Sequence, residues 1–241
     1  MQYESKKKFY ILLTFAIAMG FLEAIVVVYL RELYYPDGFS FPLKLIPVHT
    51  YFVEIIREIT TIVMLITIGL LAGKNRIQKF AFFLFVFGIW DIAYYLGLKL
   101  FLNWPASFLT WDLLFLIPIP WVGPVLAPVI CSVGMALISL LFVSLEDCGA
   151  SIKFTVKEII IMTAGVFIIF ATYIHDYSVM IVKGGYLSHF FSLFKNQQFR
   201  KLSAQYVPVF YNWYLFFIGV VLILVSVLMV YNSSFRQERK N

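Results

Sequence analysis

The sequence predicts an all-α fold: a polytopic membrane bundle of about six transmembrane helices, with a proline-rich broken or re-entrant segment and an interfacial amphipathic helix. Three observations predict it. Hydrophobic residues make up 62% of the 241 residues and charged residues only 13%, where a soluble domain carries about 45–50% and about 25%. Mean hydropathy is +0.89. The apolar residues fall in six runs, each close to the roughly 20 residues that a helix needs to cross a bilayer. Such a chain has too few charges to cover a soluble surface, and it excludes a disordered chain and a disulfide-stapled secreted fold. Cys131 and Cys148 form no CxxC pair, so neither a disulfide nor a thiolate metal site is expected.

The first run, 9–30, follows Lys6-Lys7-Lys8 as a signal peptide would. It is too long for a signal core, carries Glu23 and lacks a small-x-small cleavage site, so an uncleaved helix is expected. Ala16, Gly20 and Ala24 form a small-residue ridge suited to close helix packing, and Glu23 lies beside it. In the second run, 51–72, Tyr51, Glu54, Glu58 and Thr61 make one stripe at helical spacing, with Arg57 adjoining. In the third, 80–102, Gly88, Asp91, Tyr94, Tyr95 and Lys99 share a face.

The connection that follows is rich in Pro105, Pro118, Pro120, Pro124 and Pro128, with Gly123. Pro118 and Pro120 cannot both occupy a regular helix interior. An apolar, non-helical stretch at membrane depth is tolerated where it is buried in protein or lines a cavity. The expectation is a broken helix or short re-entrant loop capping the outer side, with Asp112 as N-cap of a short helix from Leu113. Trp104, Trp111 and Trp121 belong either to an interfacial aromatic belt or to that lid.

Pro124 suits the start of the fourth run, 124–145, and Pro128 should kink it. The fifth, 158–174, leads into His175 and Asp176. In the long connection 175–208, Leu187, Phe190, Phe191 and Phe194 recur at helical spacing before Lys195, Arg200 and Lys201. That pattern predicts an amphipathic helix on the membrane surface or against a partner subunit. The last run is 209–231, and the chain reads as one transmembrane domain, 1–241, without an inverted repeat.

Net charge is +6. Lys6, Lys7, Lys8, Lys74, Arg76, Lys79, Lys153, Lys157, Arg236, Arg239 and Lys240 would lie on one side. The positive-inside rule makes that side the cytoplasm, with both termini in it. In a bacterial host the protein then belongs to the inner membrane, and 31–50, 103–123 and 175–208 face the periplasm. The basic clusters serve topology, so nucleic acid is not an expected partner; membrane lipids and partner membrane subunits are.

Charges inside a bilayer are costly and usually face a bundle interior or cavity. At 1.5 Å rise per residue, Glu23 and Glu58 lie roughly 10 Å below the outer ends of their helices, Glu54 roughly 5 Å and Asp91 roughly 16 Å. All are in the outer half, which predicts one outward-facing polar region. The expected ligand-binding set is Glu23, Glu54, Arg57, Glu58, Asp91, Tyr94, Tyr95, Trp111, Asp112 and His175. Pairing of Arg57 with a neighbouring carboxylate, and of Asp91 with Lys99 or a tyrosine, is the purely structural account of the same residues.

No Glu-x-x-His, His-x-x-x-His or HExxH pattern is present, and Arg57 among the carboxylates argues for ion pairing over a metal. His49, His175 and His189 are the histidines. His49 and His175 both fall at the outer boundary, where a bis-histidine haem is geometrically conceivable, though the sequence names no cofactor. GxSxG, P-loop and Rossmann patterns are missing, and no catalytic residue is assigned. Three functions fit: a non-catalytic membrane subunit or binding protein for a lipid, quinone-like or other amphiphilic ligand; a membrane enzyme acting on such a ligand with carboxylates as acid and base; and a proton- or cation-coupled transporter.

Overall fold

A computed structural model describes residues 1–238, with side chains outside the described set at 189, 191, 194 and 235–238. The predicted basic residues Arg239 and Lys240 thus lie outside the described residues, as do the side chains of Arg236, His189, Phe191 and Phe194. The chain is an all-α helical bundle, and among the described residues six helices are long and apolar enough to cross a membrane. They are α1 (Tyr3–Tyr34), α2 (Val48–Ala72), α3 (Arg76–Leu102), α4 (Leu126–Asp147), α5 (Val156–Lys183) and α7 (Trp213–Glu238). A short hairpin, β1 (Trp111–Phe115) and β2 (Trp121–Pro124), separates α3 from α4, and a 3-10 segment (Tyr186–Lys195) and α6 (Gln197–Ser203) separate α5 from α7.

Local chemistry explains the ends. Asn75 caps α3 by accepting the Gln78 N–H, and Asn103 stops it in the left-handed region at φ 50°. Thr155 and Glu158 form a reciprocal capping box at α5. That box accounts for a buried Glu158 without any functional role. Helix α5 runs beyond the expected 158–174, so His175 and Asp176 belong to its interior turns. Both residues are polar, yet no proline or glycine lies between them and Gly184 to end the helix there.

Helix α3 is the axis of the first four helices, packing against α1, α2 and α4. The small-residue ridge allows this. A Cβ on Gly20 would lie 2.5 Å from the Trp90 carbonyl oxygen and 2.7 Å from the Ala93 Cβ, so α1 and α3 touch backbone to backbone. Ala16 and Ala24, one turn to either side, are wholly buried. Helices α5 and α7 form a second pair, brought together at Gly165, where a Cβ would lie 2.7 Å from the Gly219 carbonyl. The two groups meet where β2 packs on α5 and where α4 touches α7. Phe142, Val143, Val227 and Val230, from α4 and α7, share one packed cluster toward the end that carries the termini.

The proline-rich segment is where structure and expectation differ. It is neither a broken helix nor a helix capped by Asp112. It is an antiparallel hairpin in which Asp112 pairs with Gly123 and Leu113 with Val122. Aromatic and branched residues favour the extended backbone, and the prolines are confined to the turn and the strand end, where no ladder donor is required. The Trp121 Nε1–H closes the tip by donating to the Ile117 carbonyl at 2.7 Å. The tip reaches Glu58, ten residues into α2, or roughly 15 Å along that helix. The hairpin is therefore re-entrant, and it forms a wall within the bundle more than a roof above it.

The expected amphipathic helix also differs. Residues 186–195 form a 3-10 helix. Leu193 and Phe199 are buried in one cluster with Ile119, Val122, Tyr177 and Ile181, so the segment docks on the hairpin and α5 of its own chain. Leu187 faces outward.

Candidate functional site

A cavity of about 630 Å³ lies between the two helix groups. Its walls come from α1, the connection before α2, α2, α3, the hairpin, α4, α5, α6 and α7. Most of that wall is apolar or aromatic. Leu113–Phe115 of the hairpin, Met135 and Ile138 of α4, Ile169 and Phe170 of α5, and Val220 and Ile223 of α7 contribute. Trp121 stacks on Tyr173 at 6.0 Å and nearly parallel, giving part of the wall a flat aromatic face.

Polar groups are concentrated in the half of the bundle that holds the hairpin. Arg57 pairs with Glu23 across the α1–α2 contact and with Glu54 of its own helix at 2.8 Å. Thr61 donates to Glu23 at 3.1 Å. The three charged residues thus form a closed network, which is what makes a guanidinium tolerable at that depth, since it cannot shed its proton. Both oxygens of Glu58 accept the Leu116 N–H, at 2.9 and 3.1 Å. This bond fastens the hairpin tip to α2 and satisfies a backbone donor that lipid could not. Asp91 accepts the Ser132 hydroxyl of α4 at 2.7 Å. Lys99 does not reach Asp91; its ammonium donates to the carbonyls of Asn103 and Pro105.

A second ion pair was not expected from the sequence. Arg31, in the last turn of α1, binds Asp112 of β1 at 2.9 Å, with Arg31 6% and Asp112 1% exposed. Tyr95 donates to the other Asp112 oxygen at 3.1 Å. The Arg31 guanidinium is held between two rings, 4.2 Å from the centre of Phe39 and 3.8 Å from that of Trp104. Its Nη1 is buried and has no hydrogen-bond partner among the described residues. Nearby, the Tyr35 hydroxyl accepts the Lys44 N–H at 2.7 Å, and burial raises the Tyr35 pKa above its ordinary value, keeping it neutral.

Of the residues singled out in the sequence, Glu23, Glu54, Arg57, Glu58, Asp91, Tyr94, Tyr95 and Asp112 all line the cavity. Trp111 and His175 are not among its lining residues. Trp111 packs on Tyr211, with ring centres 6.2 Å apart, and His175 is exposed and bonded to Asp176. Among the described residues no three histidine, cysteine or acidic side chains converge as a metal would need. Sequence reasoning missed Arg31 and Ser132. Arg31 had a signal: it follows Ala24 by seven residues and so continues the buried ridge of α1. Ser132, one of three serines in an apolar helix, had none.

These features define a multi-pass membrane protein whose helices enclose a largely apolar cavity with a partly buried polar network in its wall. Compared with known protein families, curated proteins and solved structures, the chain matches none.

Proposed function

We propose that this is a non-catalytic inner-membrane subunit or binding protein whose cavity holds an amphiphilic ligand, with the hairpin end facing outward and both termini in the cytoplasm. The cavity carries the reading. Its volume of about 630 Å³ falls in the range of small-molecule sites, and its wall is apolar with a few fixed polar groups. An ion network that existed only to stabilise the bundle would need no space beside it. The carboxylates are already committed, to Arg57, to Ser132 and to the Leu116 N–H, which favours binding over acid–base chemistry. Placement of Lys and Arg supports the orientation.

Gly134 supplies the test. It lines the cavity, and a Cβ there meets nothing within 4 Å. Gly134→Phe should fold, because it fills empty space, and should evict whatever the cavity holds. Native mass spectrometry after gentle detergent extraction should find a bound amphiphile on the natural protein and none on the variant. Equal lipid retention by both proteins would overturn the reading.

A further inference from the structure

We propose that the cavity's rim at the hairpin end seats a phosphate head group, so that the ligand is a phosphorylated amphiphile. This rests on the binding function proposed above and adds the chemistry of the head. Arg31, Lys44 and Arg200 all line the cavity. They come from three parts of the chain: the last turn of α1, the connection before α2, and α6. A continuous chain of contacts links them. The Arg200 guanidinium donates to the Ile46 carbonyl, two residues from Lys44. Lys44 donates its N–H to Tyr35 and holds its ammonium 5.5 Å from the centre of that ring. The Tyr35 N–H in turn caps α1 on the Arg31 carbonyl at 2.7 Å.

The charges do not cancel at this rim. Asp112 is taken by Arg31, and Glu23 and Glu54 by Arg57. Lys44 and Arg200 have no carboxylate partner among the described residues. Two uncompensated cations match a phosphate monoester, whose charge is about −1.5 to −2 at neutral pH. Arg31 adds a donor already in place. Its guanidinium is clamped by Phe39 and Trp104 and is 6% exposed, and Asp112 occupies Nη2 while Nη1 has no partner. A fixed planar fork with one arm unused, flanked by two further cations, suits a tetrahedral oxyanion approached from several sides. The deep carboxylates suit no anion, so the head belongs at the rim and the tail against the aromatic wall.

The experiment compares lysophosphatidic acid, the monoacylglycerol and the fatty acid of the same acyl chain, with inorganic phosphate as the head alone. Binding to the purified full-length protein is read by quenching of tryptophan fluorescence. Lysophosphatidic acid should bind at least roughly tenfold more tightly than the monoacylglycerol. Lys44→Gln and Arg200→Gln should each weaken lysophosphatidic acid binding several-fold more than monoacylglycerol binding, a split that misfolding would not produce. Equal affinity for the two lipids would overturn the phosphate rim and leave the cavity reading standing. A fatty acid that matches lysophosphatidic acid would overturn phosphate as the head in favour of any anion. Inorganic phosphate binding as tightly as lysophosphatidic acid would show that the tail contributes nothing and overturn the amphiphile. Binding of none of the probes would overturn both readings.

Discussion

At the scale of single residues, burial decides which charges matter. Arg57 is held by carboxylates on two helices, whereas Lys99 is exposed and donates to backbone carbonyls at the end of α3. Removing Arg57 strands Glu23 and Glu54 without their counter-charge. Arg57→Leu should cost about 3–5 kcal/mol, as breaking a buried pair does. Lys99→Leu should change stability by less than about 0.5 kcal/mol. Thermal unfolding in detergent separates the two. Glu58 gives a second contrast. Glu58→Leu leaves the Leu116 N–H without an acceptor and should cost about 1–3 kcal/mol. Glu58→Gln keeps a carbonyl for it and should cost less. Hydrogen exchange at Leu116 should speed up in the leucine variant and stay slow in the glutamine variant. The charged members of the site were legible because ionisable residues in apolar runs are rare, and each therefore stands out. Arg31 was legible only as loop, because its helix runs four residues past the apolar run that marked it. Its partner Asp112 comes from a segment whose geometry periodicity does not reveal.

At the scale of elements, the six long helices were readable because a run of roughly 20 apolar residues has no other use than a span or a buried core. The hairpin was not. Pro118 and Pro120 forbid a helix, but two four- or five-residue strands leave no period long enough to distinguish them from a coil. The contact between α1 and α3 is the element-scale feature most open to test. Gly20 has a backbone carbonyl and a Cβ within 2.7 Å of where its own Cβ would stand. Gly20→Leu should force the helices apart and cost at least about 2 kcal/mol, as overpacking does. Gly134→Ala, in open space on α4, should instead stabilise by about 0.5–1 kcal/mol through helix propensity. Unfolding midpoints that move in the same direction for both would contradict this account of the packing.

At the scale of the whole molecule, the connections sort into two ends. Asn75 bonds Glu146, and Ser5 and Gln2 bond Asp147, so the α2–α3 turn and the end of α4 gather beside the N-terminus. Arg31, the hairpin and α6 gather at the other end. If the basic clusters lie on the cytoplasmic side, as proposed, an impermeant maleimide added to intact cells should label Ser107→Cys and Ser188→Cys. It should leave Asn75→Cys unlabelled, as well as the exposed Cys148, until the cells are opened. Labelling of Asn75→Cys from outside would invert the orientation.

The sparse meeting of α4 with α7 has a consequence for supply. The two helices share packing toward the end with the termini, while Met135 and Ile138 on one side and Val220 and Leu224 on the other border the cavity. The amphiphile proposed above, if it enters between them, would come from the hydrocarbon and not from water. Its reservoir is two-dimensional, so occupancy follows its mole fraction among the surrounding lipids. Diluting the aqueous phase would leave the protein loaded, whereas adding inert lipid at constant ligand would empty it in proportion.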